Sequence, residues 1–565
     1  MPTHASSGRS PAHPAVVVTA YLVATTVMTW PYVSYANFST ALYRGDAELI
    51  IWTLAWDNHA ALDGVRLFSS NLFFPAPDTL RYNEHLFGLS LFTLPWQAAG
   101  ASAVLAHNAT WWLAFPLNGL AAFAWLRRFV SSDLAAFAGS LVFAYSFYVM
   151  LHAHAHLHLI WIWGLPASLL LFERWFDRPS GPRIAAWTVV VVLQALTSWY
   201  LAVMVALANG LLALVLLCTH PPAPDAPALT QRVWLRRTTQ LLGAVVIAGL
   251  CLYPFARPYA GLQGSATEAA ANAATPASYL VPPANTVAGR WWTTHIDDRP
   301  LSIWGERTVF LGWTSLILAV LGLGALLTRA TTSRRAWVFA LLASVGFLLS
   351  LGPAPDVLGG PALAPYAWLS ALPGVGGMRA PARFAVLVTL GVAGLAAIGA
   401  EAMMRAGPAW RRLLFVLVPV MLAEWFVVDF PGGPPAPFPV PAIYRTPEVQ
   451  QARSLLSLPE YLDTPEWYLG GDYLYFSTAH WRPIVNGFGR TEPPGHADLV
   501  SIARRFPASA AELRELGVHY VVVHAGRYPD GAHGLLAAAG VAPACRLARR
   551  IGDDYLIELV TPPRP

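Results

Sequence analysis

The chain has 565 residues, of which 56% are hydrophobic and only 12% are charged. Soluble domains carry about 25% charged residues, so this composition excludes a soluble multidomain enzyme. The net charge is +5 and the 36 basic residues are all arginine. Nucleic-acid binding is not indicated, because the arginines form short groups between apolar runs. The three cysteines, Cys218, Cys251 and Cys545, are too far apart in sequence to indicate a disulfide framework.

Eleven apolar runs have the length of membrane-spanning helices, because a bilayer core about 30 Å thick needs about 20 apolar residues per helix. They cover residues 15–38, 109–126, 134–151, 156–172, 184–199, 200–218, 238–254, 308–327, 336–352, 384–400 and 413–429. The first run lacks a small-residue cleavage site, so we interpret it as an anchor that follows a cytoplasmic tail of residues 1–14.

The arginines predict which way the chain faces. Fourteen of them lie in five loops, at residues 127–128, 174–183, 232–237, 329–335 and 405–412. Bacterial cytoplasmic loops carry this excess, and the Arg-, Ala-, Gly- and Pro-rich composition is typical of a GC-rich bacterial genome. We therefore expect a multi-pass protein of the bacterial cytoplasmic (inner) membrane with its N-terminus inside.

That orientation requires that a twelfth apolar stretch, residues 86–106, does not span the membrane. It contains Pro95 and Gly100, and we expect re-entrant or interfacial helices there. The loops 39–108, 255–307 and 353–382 then face outward and belong to a transmembrane domain of residues 15–429.

The tail, residues 430–565, also faces outward and has a different pattern. Ser509–Leu516 is predicted as a helix closed by Gly517, and residues 518–524 and 554–560 are predicted as strands. We therefore expect a small extracytoplasmic α/β domain attached to an all-α polytopic membrane protein.

Two carboxylates directly after the first run are candidate catalytic groups. Asp46 and Glu48 precede an apolar stretch that contains Trp52. A partly desolvated carboxylate has a raised pKa and can act as the general base for a hydroxyl group. The alternative is that Asp46 is only the N-cap of a helix that ends at Gly64.

Further polar side chains are candidates for substrate or metal binding. Glu84 and His85 begin the interfacial segment, and four histidines crowd an outer junction between two runs: His152, His154, His156 and His158. Their spacing permits metal binding, and interfacial histidines satisfied by water give the same pattern.

The second outer loop interleaves aromatic and charged residues: Trp291, Trp292, His295, Asp297, Asp298, Arg299, Trp304, Glu306 and Arg307. This mixture suits sugar recognition, although aromatic belts at membrane interfaces have the same composition. Arg379 and Arg383 stand just before a run that leads inward. Their planar guanidinium groups can hold a phosphate bidentately, or they can simply anchor a helix end.

The arrangement resembles the GT-C class of membrane glycosyltransferases. The resemblance rests on the segment Gly45-Asp46-Ala47-Glu48, the long first outer loop with its interfacial helices, and the arginine-marked inner turns. More closely, the chain is similar to bacterial YfhO-like and related GT-C proteins, which share segments like residues 306–312, 378–384, 477–487 and 516–524.

The resemblance implies a polyprenyl-phosphate sugar donor, an acceptor outside the cytoplasmic membrane (a cell-envelope glycan, lipid or protein) and inversion at the anomeric carbon. Asp46 would be the base, and Glu48 would orient the acceptor or help to hold a metal. The lipid phosphate would be bound by Arg307, Arg379 and Arg383. The substrate contacts would be Trp52, Glu84, His85, His154, His156, Asp297, Asp298 and Glu306.

Two departures from the family pattern leave a divalent metal ion open as a cofactor: the second outer loop has no Asp-X-Asp, and the chain has no lysine.

Two other function classes also stay open. A flippase or transporter of lipid-linked sugars needs ionisable groups within its spans, and these runs are nearly free of charge. A non-catalytic scaffold in envelope glycan assembly would use the tail as a docking surface.

Overall fold

The computed structural model describes residues 13–35, 44–219, 227–261, 266–296, 305–328, 333–353, 364–372, 375–428, 438–489 and 491–561. These residues are mostly helical. The α-helices are α1 (Pro14–Met28), α2 (Asp46–Asp63), α3 (Phe87–Ala98), α4 (Ala103–Leu126), α5 (Asp133–Tyr145), α6 (Phe147–His152), α7 (Leu157–Ile160), α8 (Gly164–Asp177), α9 (Gly181–Thr197), α10 (Trp199–Thr219), α11 (Pro227–Ala256), α12 (Ala266–Ala271), α13 (Val287–His295), α14 (Trp313–Leu327), α15 (Trp337–Ser350), α16 (Pro365–Ser370), α17 (Ala385–Ala406), α18 (Pro408–Trp425), α19 (Pro447–Gln450), α20 (Gly470–Ser477), α21 (His496–Ala503), α22 (Ala510–Glu515) and α23 (His533–Val541). The strands are β1 (Leu455–Leu458), β2 (Tyr520–His524), β3 (Cys545–Ile551) and β4 (Asp554–Leu559).

The chain divides into two compact units. The helical unit comprises Met1–Ser34, Trp111–Ala153 and His158–Phe430, and the sheet unit comprises Tyr35–Thr110, His154–Leu157 and Pro431–Pro565. The helical unit ends at Phe430, and Tyr35–Thr110 lies in the same unit as Pro431–Pro565. The predicted division into a transmembrane domain and an extracytoplasmic domain stays a prediction.

Five helices of the described part are long and apolar enough to cross a membrane: Asp133–His152, Leu157–Asp177, Trp199–Thr219, Gln231–Tyr259 and Pro381–Ala406. Each coincides with a predicted span. Pro14–Met28, Gly181–Thr197 and Trp313–Leu327 are apolar but shorter. The predicted number of about eleven spans is not confirmed by these helices and stays a prediction.

Several helix ends differ from the predicted ones for local reasons. The first apolar run, residues 15–38, forms a helix only as far as Met28, because Pro31 lacks an amide hydrogen and disfavours a helical residue before it. The run 308–327 becomes helical only after Gly312, whose φ of +86° is outside the helical range. The stretch 86–106 is broken at Gly100, and the 12 residues of α3 are too short to span a bilayer.

The arginine-rich loops of the helical unit lie together. Arg128 Nε is 3.0 Å from Glu173 Oε2, and its Nη2 is 2.6 Å from Asp177 Oδ2. Arg335 Nη1 contacts the same two carboxylates, at 3.1 Å and 2.8 Å. Residues from three of the five loops therefore share one ionic cluster.

The other two loops join the same cluster of helix ends. Arg237 donates from Nη2 to the Phe176 carbonyl oxygen at 2.5 Å. Glu401, near the C-terminal end of α17, accepts from the Ser132 amide at 2.9 Å and from Arg405 Nη2 at 3.0 Å. All five loops therefore lie at one end of the helical unit, as the arginine pattern predicts. Their cytoplasmic location stays a prediction.

Helix α17 connects this end to the opposite end of the unit. Arg383 stands just before α17 and Glu401 near its end, 18 positions later, which corresponds to roughly 27 Å along a helix. The residues of α17 between them are apolar or small and almost all are buried. The two polar ends are thus separated by about the thickness of a bilayer core.

Glycines allow α14 to approach α17 closely. A Cβ atom added at Gly322 would lie 1.9 Å from the Leu395 carbonyl oxygen, whereas one added at Gly324, on the same helix, would meet nothing within 4 Å. We expect Gly322→Ala to lower the unfolding free energy by about 1–3 kcal/mol, because the two backbones must move apart. Thermal unfolding of the purified variants measures this, and equal melting temperatures for Gly322→Ala and Gly324→Ala would contradict it.

The sheet unit is built on four strands in the order β1-β2-β4-β3. Strand β1 pairs with β2 in parallel, and β4 pairs antiparallel with both β2 and β3. The predicted strands correspond to β2 and β4, and the predicted helix corresponds to α22. Pattern analysis missed β1, which has only four residues, and β3, an arginine-rich edge strand on which Arg546 and Arg549 pair with glutamates. Charged residues of this kind are typical of edge strands.

Alternate side chains of the sheet enter two different hydrophobic cores. Val521 and Val523 pack with residues of α21–α23, whereas Tyr520 and Val522 belong to a core that includes Trp52 and Trp56 of α2. One face of the sheet and α2 therefore share a hydrophobic core. This explains why residues 35–110 and the tail form one compact unit.

Candidate functional site

The N-terminus of α2 carries the predicted catalytic carboxylates. Gly45 is the N-cap residue, with φ of +97°, and Asp46 is the first residue of the helix. The predicted capping role of Asp46 is therefore wrong. Glu48 supplies the cap instead: its Oε2 accepts a hydrogen bond from the Gly45 amide. This is the reciprocal half of a capping box.

Glu48 is fully buried, which corrects its predicted role in contacting the acceptor or a metal. Burial raises the pKa of Glu48 from 4.5 to about 7, with a smaller contribution from the negative charge of Asp472, while the positive charge of Arg44 acts in the opposite direction. The carboxyl group is therefore a structural element of the helix start.

The raised pKa of Glu48 makes the sheet unit less stable at neutral pH. Below pH 4.5 the group is protonated in both the folded and the unfolded chain, so its contribution to stability is fully present. This contribution is lost as the pH rises to about 7. The unfolding free energy then falls by on the order of 3 kcal/mol. We expect Glu48→Gln to flatten this pH dependence, measured by thermal unfolding between pH 5 and pH 8. An unchanged slope would contradict it.

Asp46 is the accessible carboxylate of this helix start. Its side chain is 36% exposed, and Oδ2 lies 3.5 Å from Nε2 of His156, which is 24% exposed. The structure thus brings together two predicted site residues that are 110 positions apart in the sequence. A carboxylate in the first turn of a helix is stabilised in its ionised, proton-accepting form.

A buried ion cluster holds the residue before this helix start in place. Asp472 of α20 is fully buried, and its Oδ2 lies 2.6 Å from Nη2 of Arg44 and 2.7 Å from Nη2 of Arg527. Gly471 packs against Gly45 so closely that an added Cβ atom would be 2.8 Å from the Gly45 oxygen. Sequence analysis missed Asp472; the only signal is an acid after two glycines in an otherwise aromatic segment.

Aromatic residues of the tail surround the other side of Gly45. A Cβ atom added at Gly45 would lie 3.0 Å from Cζ of Phe488 and 3.2 Å from Cβ of Tyr468. Trp467 stacks on Phe488 with 5.4 Å between the ring centroids. The start of α2 is therefore enclosed by residues from the tail.

Three other predicted substrate contacts are buried. Trp52 is fully buried in the hydrophobic core and stacks on Trp56, and His154 is 4% exposed. His85 is 3% exposed, and its Nδ1 accepts a hydrogen bond from the Phe87 amide at the start of α3. Burial lowers the pKa of His85 to about 3. These three side chains stabilise the fold and are not accessible to a substrate.

Glu84, the remaining candidate of this segment, is half-buried next to His85. Asp297 and Asp298 lie outside the described residues.

The helical unit has its own polar cluster at the N-terminal end of α17. Arg383 is 5% exposed and forms a bidentate ion pair with Glu306. Its guanidinium group also lies 4.4 Å from the ring centroid of Tyr200. His152 Nε2 is 3.7 Å from Glu306 Oε2. Glu306 thus neutralises the charge of Arg383. The roles of these two residues in binding phosphate and substrate stay predictions.

The two other predicted phosphate ligands are more accessible. Arg379 is 31% exposed and its Nη1 lies 3.3 Å from Glu268 Oε1. Arg307 is exposed and donates from Nε to the Ala273 carbonyl oxygen at 2.9 Å. A guanidinium group carries five N–H donors, the kind of group that binds an anion.

No family model and no curated protein matches the chain. Among solved structures, it is similar to the arabinofuranosyltransferase AftD from Mycobacteria, with 16% identity and a TM-score of 0.54 over 97% of this chain and 40% of AftD. A mutant of AftD matches with 15% identity and a TM-score of 0.59 over 98% of this chain and 42% of AftD. The chain has a GT-C-like fold.

The GT-C-like chain spans about two fifths of the length of AftD. ArnT from Cupriavidus metallidurans, in the apo state, is also similar, with 14% identity and a TM-score of 0.49 over 96% of this chain and 97% of ArnT. The similarity to AftD confirms the predicted GT-C-like fold, whereas the closer similarity to YfhO-like proteins stays a prediction.

Proposed function

We propose that this protein transfers a sugar from a polyprenyl-phosphate donor to an acceptor outside the cytoplasmic membrane, with inversion at the anomeric carbon. The observation that carries the proposal is the accessible pair of Asp46 and His156 at a firmly held helix start of a GT-C-like fold. The similarity to AftD, an arabinofuranosyltransferase, supports a transferase and suggests a pentosyl donor as the first to be tested.

In the proposed reaction, Asp46 accepts the proton of the acceptor hydroxyl as its oxygen attacks the anomeric carbon from the face opposite the phosphate. The new glycosidic bond forms while the bond to the phosphate oxygen breaks, and polyprenyl phosphate leaves with the bonding electrons. His156 keeps Asp46 oriented and can relay the proton to water. The binding of the lipid phosphate by Arg307 and Arg379 stays a prediction.

A divalent metal ion is not part of this proposal. Glu48, the residue expected to help hold one, is buried and caps α2. His152 Nε2 lies 3.7 Å from Glu306 Oε2, but Arg383 next to Glu306 disfavours a second cation there. Glu48 therefore does not fit the role of a metal ligand, and a metal ion held by other residues stays a prediction.

The test is a transfer assay with the full chain reconstituted in lipid nanodiscs. Radiolabelled arabinofuranose, mannose and glucose linked to polyprenyl phosphate are offered with extracted envelope glycans, lipids and proteins. We expect a labelled product with one donor, stoichiometric release of polyprenyl phosphate, and an inverted anomeric centre by NMR. Absence of product with every donor, while the protein stays folded, would refute the proposed function.

A further inference from the structure

An exposed aromatic platform stands next to the start of α2. Trp467 is 48% exposed, and its ring lies almost parallel to that of Phe488, at an interplanar angle of 11°. Phe488 is itself 6% exposed and belongs to the hydrophobic core of the sheet unit. One face of the indole is therefore fixed on the core, which leaves the opposite face for a ligand.

The surroundings of Trp467 are polar, which distinguishes it from a membrane anchor. The preceding residues Asp463, Pro465 and Glu466 are exposed, and carboxylates next to the ring disfavour contact with an anionic membrane surface. Trp410 of the helical unit is 50% exposed and is instead followed by Arg411 and Arg412, whose positive charges favour an anionic membrane surface. The indole offers stacking to C–H groups, and the exposed carboxylates one and four residues before it offer hydrogen-bond acceptors to hydroxyl groups, the combination that sugars require.

The aromatic platform of Trp467 and Phe488 lies next to Gly45, the residue before the proposed base Asp46. The Phe488 ring contacts Gly45, the residue before Asp46, and Trp467 forms the next layer at 5.4 Å. A ring stacked on the outer face of Trp467 is therefore separated from Gly45 by two aromatic layers. It cannot be the ring whose hydroxyl group gives up its proton to Asp46.

We propose that the outer face of Trp467 binds a sugar ring of the acceptor, which makes the acceptor an oligosaccharide held at a unit remote from the reacting hydroxyl. This inference rests on the proposed function, because it assigns the acceptor class of the same site. The carboxylates of Asp463 and Glu466 accept hydrogen bonds from hydroxyl groups of the stacked unit.

The inference is tested by binding without donor. Isothermal titration calorimetry measures the affinity of the full chain in nanodiscs for arabinofuranosyl and mannosyl tetrasaccharides and for the free monosaccharides. We expect tetrasaccharide binding, a roughly tenfold loss in Trp467→Ala, a smaller loss in Trp467→Phe, and no change in Trp410→Ala. Thermal unfolding checks that the variants are folded.

Several results would overturn the inference: no tetrasaccharide binding by the wild-type protein, equal affinity of Trp467→Ala and wild type, or a loss in Trp467→Ala only of binding to phospholipid vesicles. Failure of the proposed function can be distinguished from failure of this inference. Because the titration uses no donor, Asp46→Asn is expected to keep the wild-type affinity for the tetrasaccharide. Tetrasaccharide binding without any sugar transfer would therefore contradict the proposed function but not the inference about Trp467. Sugar transfer by Trp467→Ala with an unchanged KM for the acceptor would contradict only the inference about Trp467 and leave the proposed function intact.

Discussion

Asp46→Asn lowers the rate of sugar transfer by about 100- to 10,000-fold while the protein stays folded, because general-base catalysis contributes a factor of this size. The amide cannot accept the acceptor proton. The side chain is 36% exposed and the helix is capped by Glu48 rather than by Asp46, so the loss of stability is expected to stay below about 1 kcal/mol. The measurement is kcat with saturating donor and acceptor, together with thermal unfolding.

Asp63 provides a matched control at the other end of the same helix. It is also an exposed aspartate beside a histidine, with Oδ2 2.6 Å from Nδ1 of His59. Asp63→Asn is expected to leave kcat unchanged. Equal kcat values for Asp46→Asn and wild type would remove Asp46 from the mechanism, and equal losses in both variants would indicate an indirect effect on the helix.

Asp472→Asn is expected to have the largest effect on stability. The fully buried carboxylate contacts both Arg44 and Arg527, and removing one partner from a buried ion cluster costs about 3–5 kcal/mol, because the remaining charges lose their compensation. The Arg44 side chain is 44% exposed and can turn to water, which places the expected loss near the lower limit. This loss of stability is measured by guanidinium unfolding of the sheet unit, with the protease sensitivity of the tail as the signal.

An exposed ion pair in the same unit gives the control. Arg505 and Glu512 are 2.8 Å apart, with side chains 58% and 46% exposed, and Glu512→Gln is expected to cost less than about 1 kcal/mol. Adding Arg527→Met to Asp472→Asn is expected to recover part of the lost stability, because one uncompensated charge is removed. Equal stability of Asp472→Asn and Glu512→Gln would show that the cluster does not hold the start of α2.

The apolar helices and the grouping of their arginine-rich loops could be predicted from local sequence. The apolar character of a helix depends on the residues of one segment, and the five arginine loops lie at one end of the helical unit, as predicted, because charge in short loops is a local property. Helix ends such as Met28 and Gly312 were missed where a single proline or glycine overrides the apolar pattern. Strand β3 was missed because an arginine-rich edge strand has no apolar alternation to detect.

The sequence alone determined the membrane character of this protein, its arginine-marked ends and the segment that carries Asp46, because these follow from composition and from neighbours along the chain. Tertiary structure decided which carboxylate is accessible: Asp46 faces His156 while Glu48 is buried as a cap. It also joined Arg44 to Asp472, 428 positions later, and placed α2 in the same hydrophobic core as one face of the sheet. Burial and ion pairing depend on residues that are distant in sequence, so only the folded chain assigns these roles.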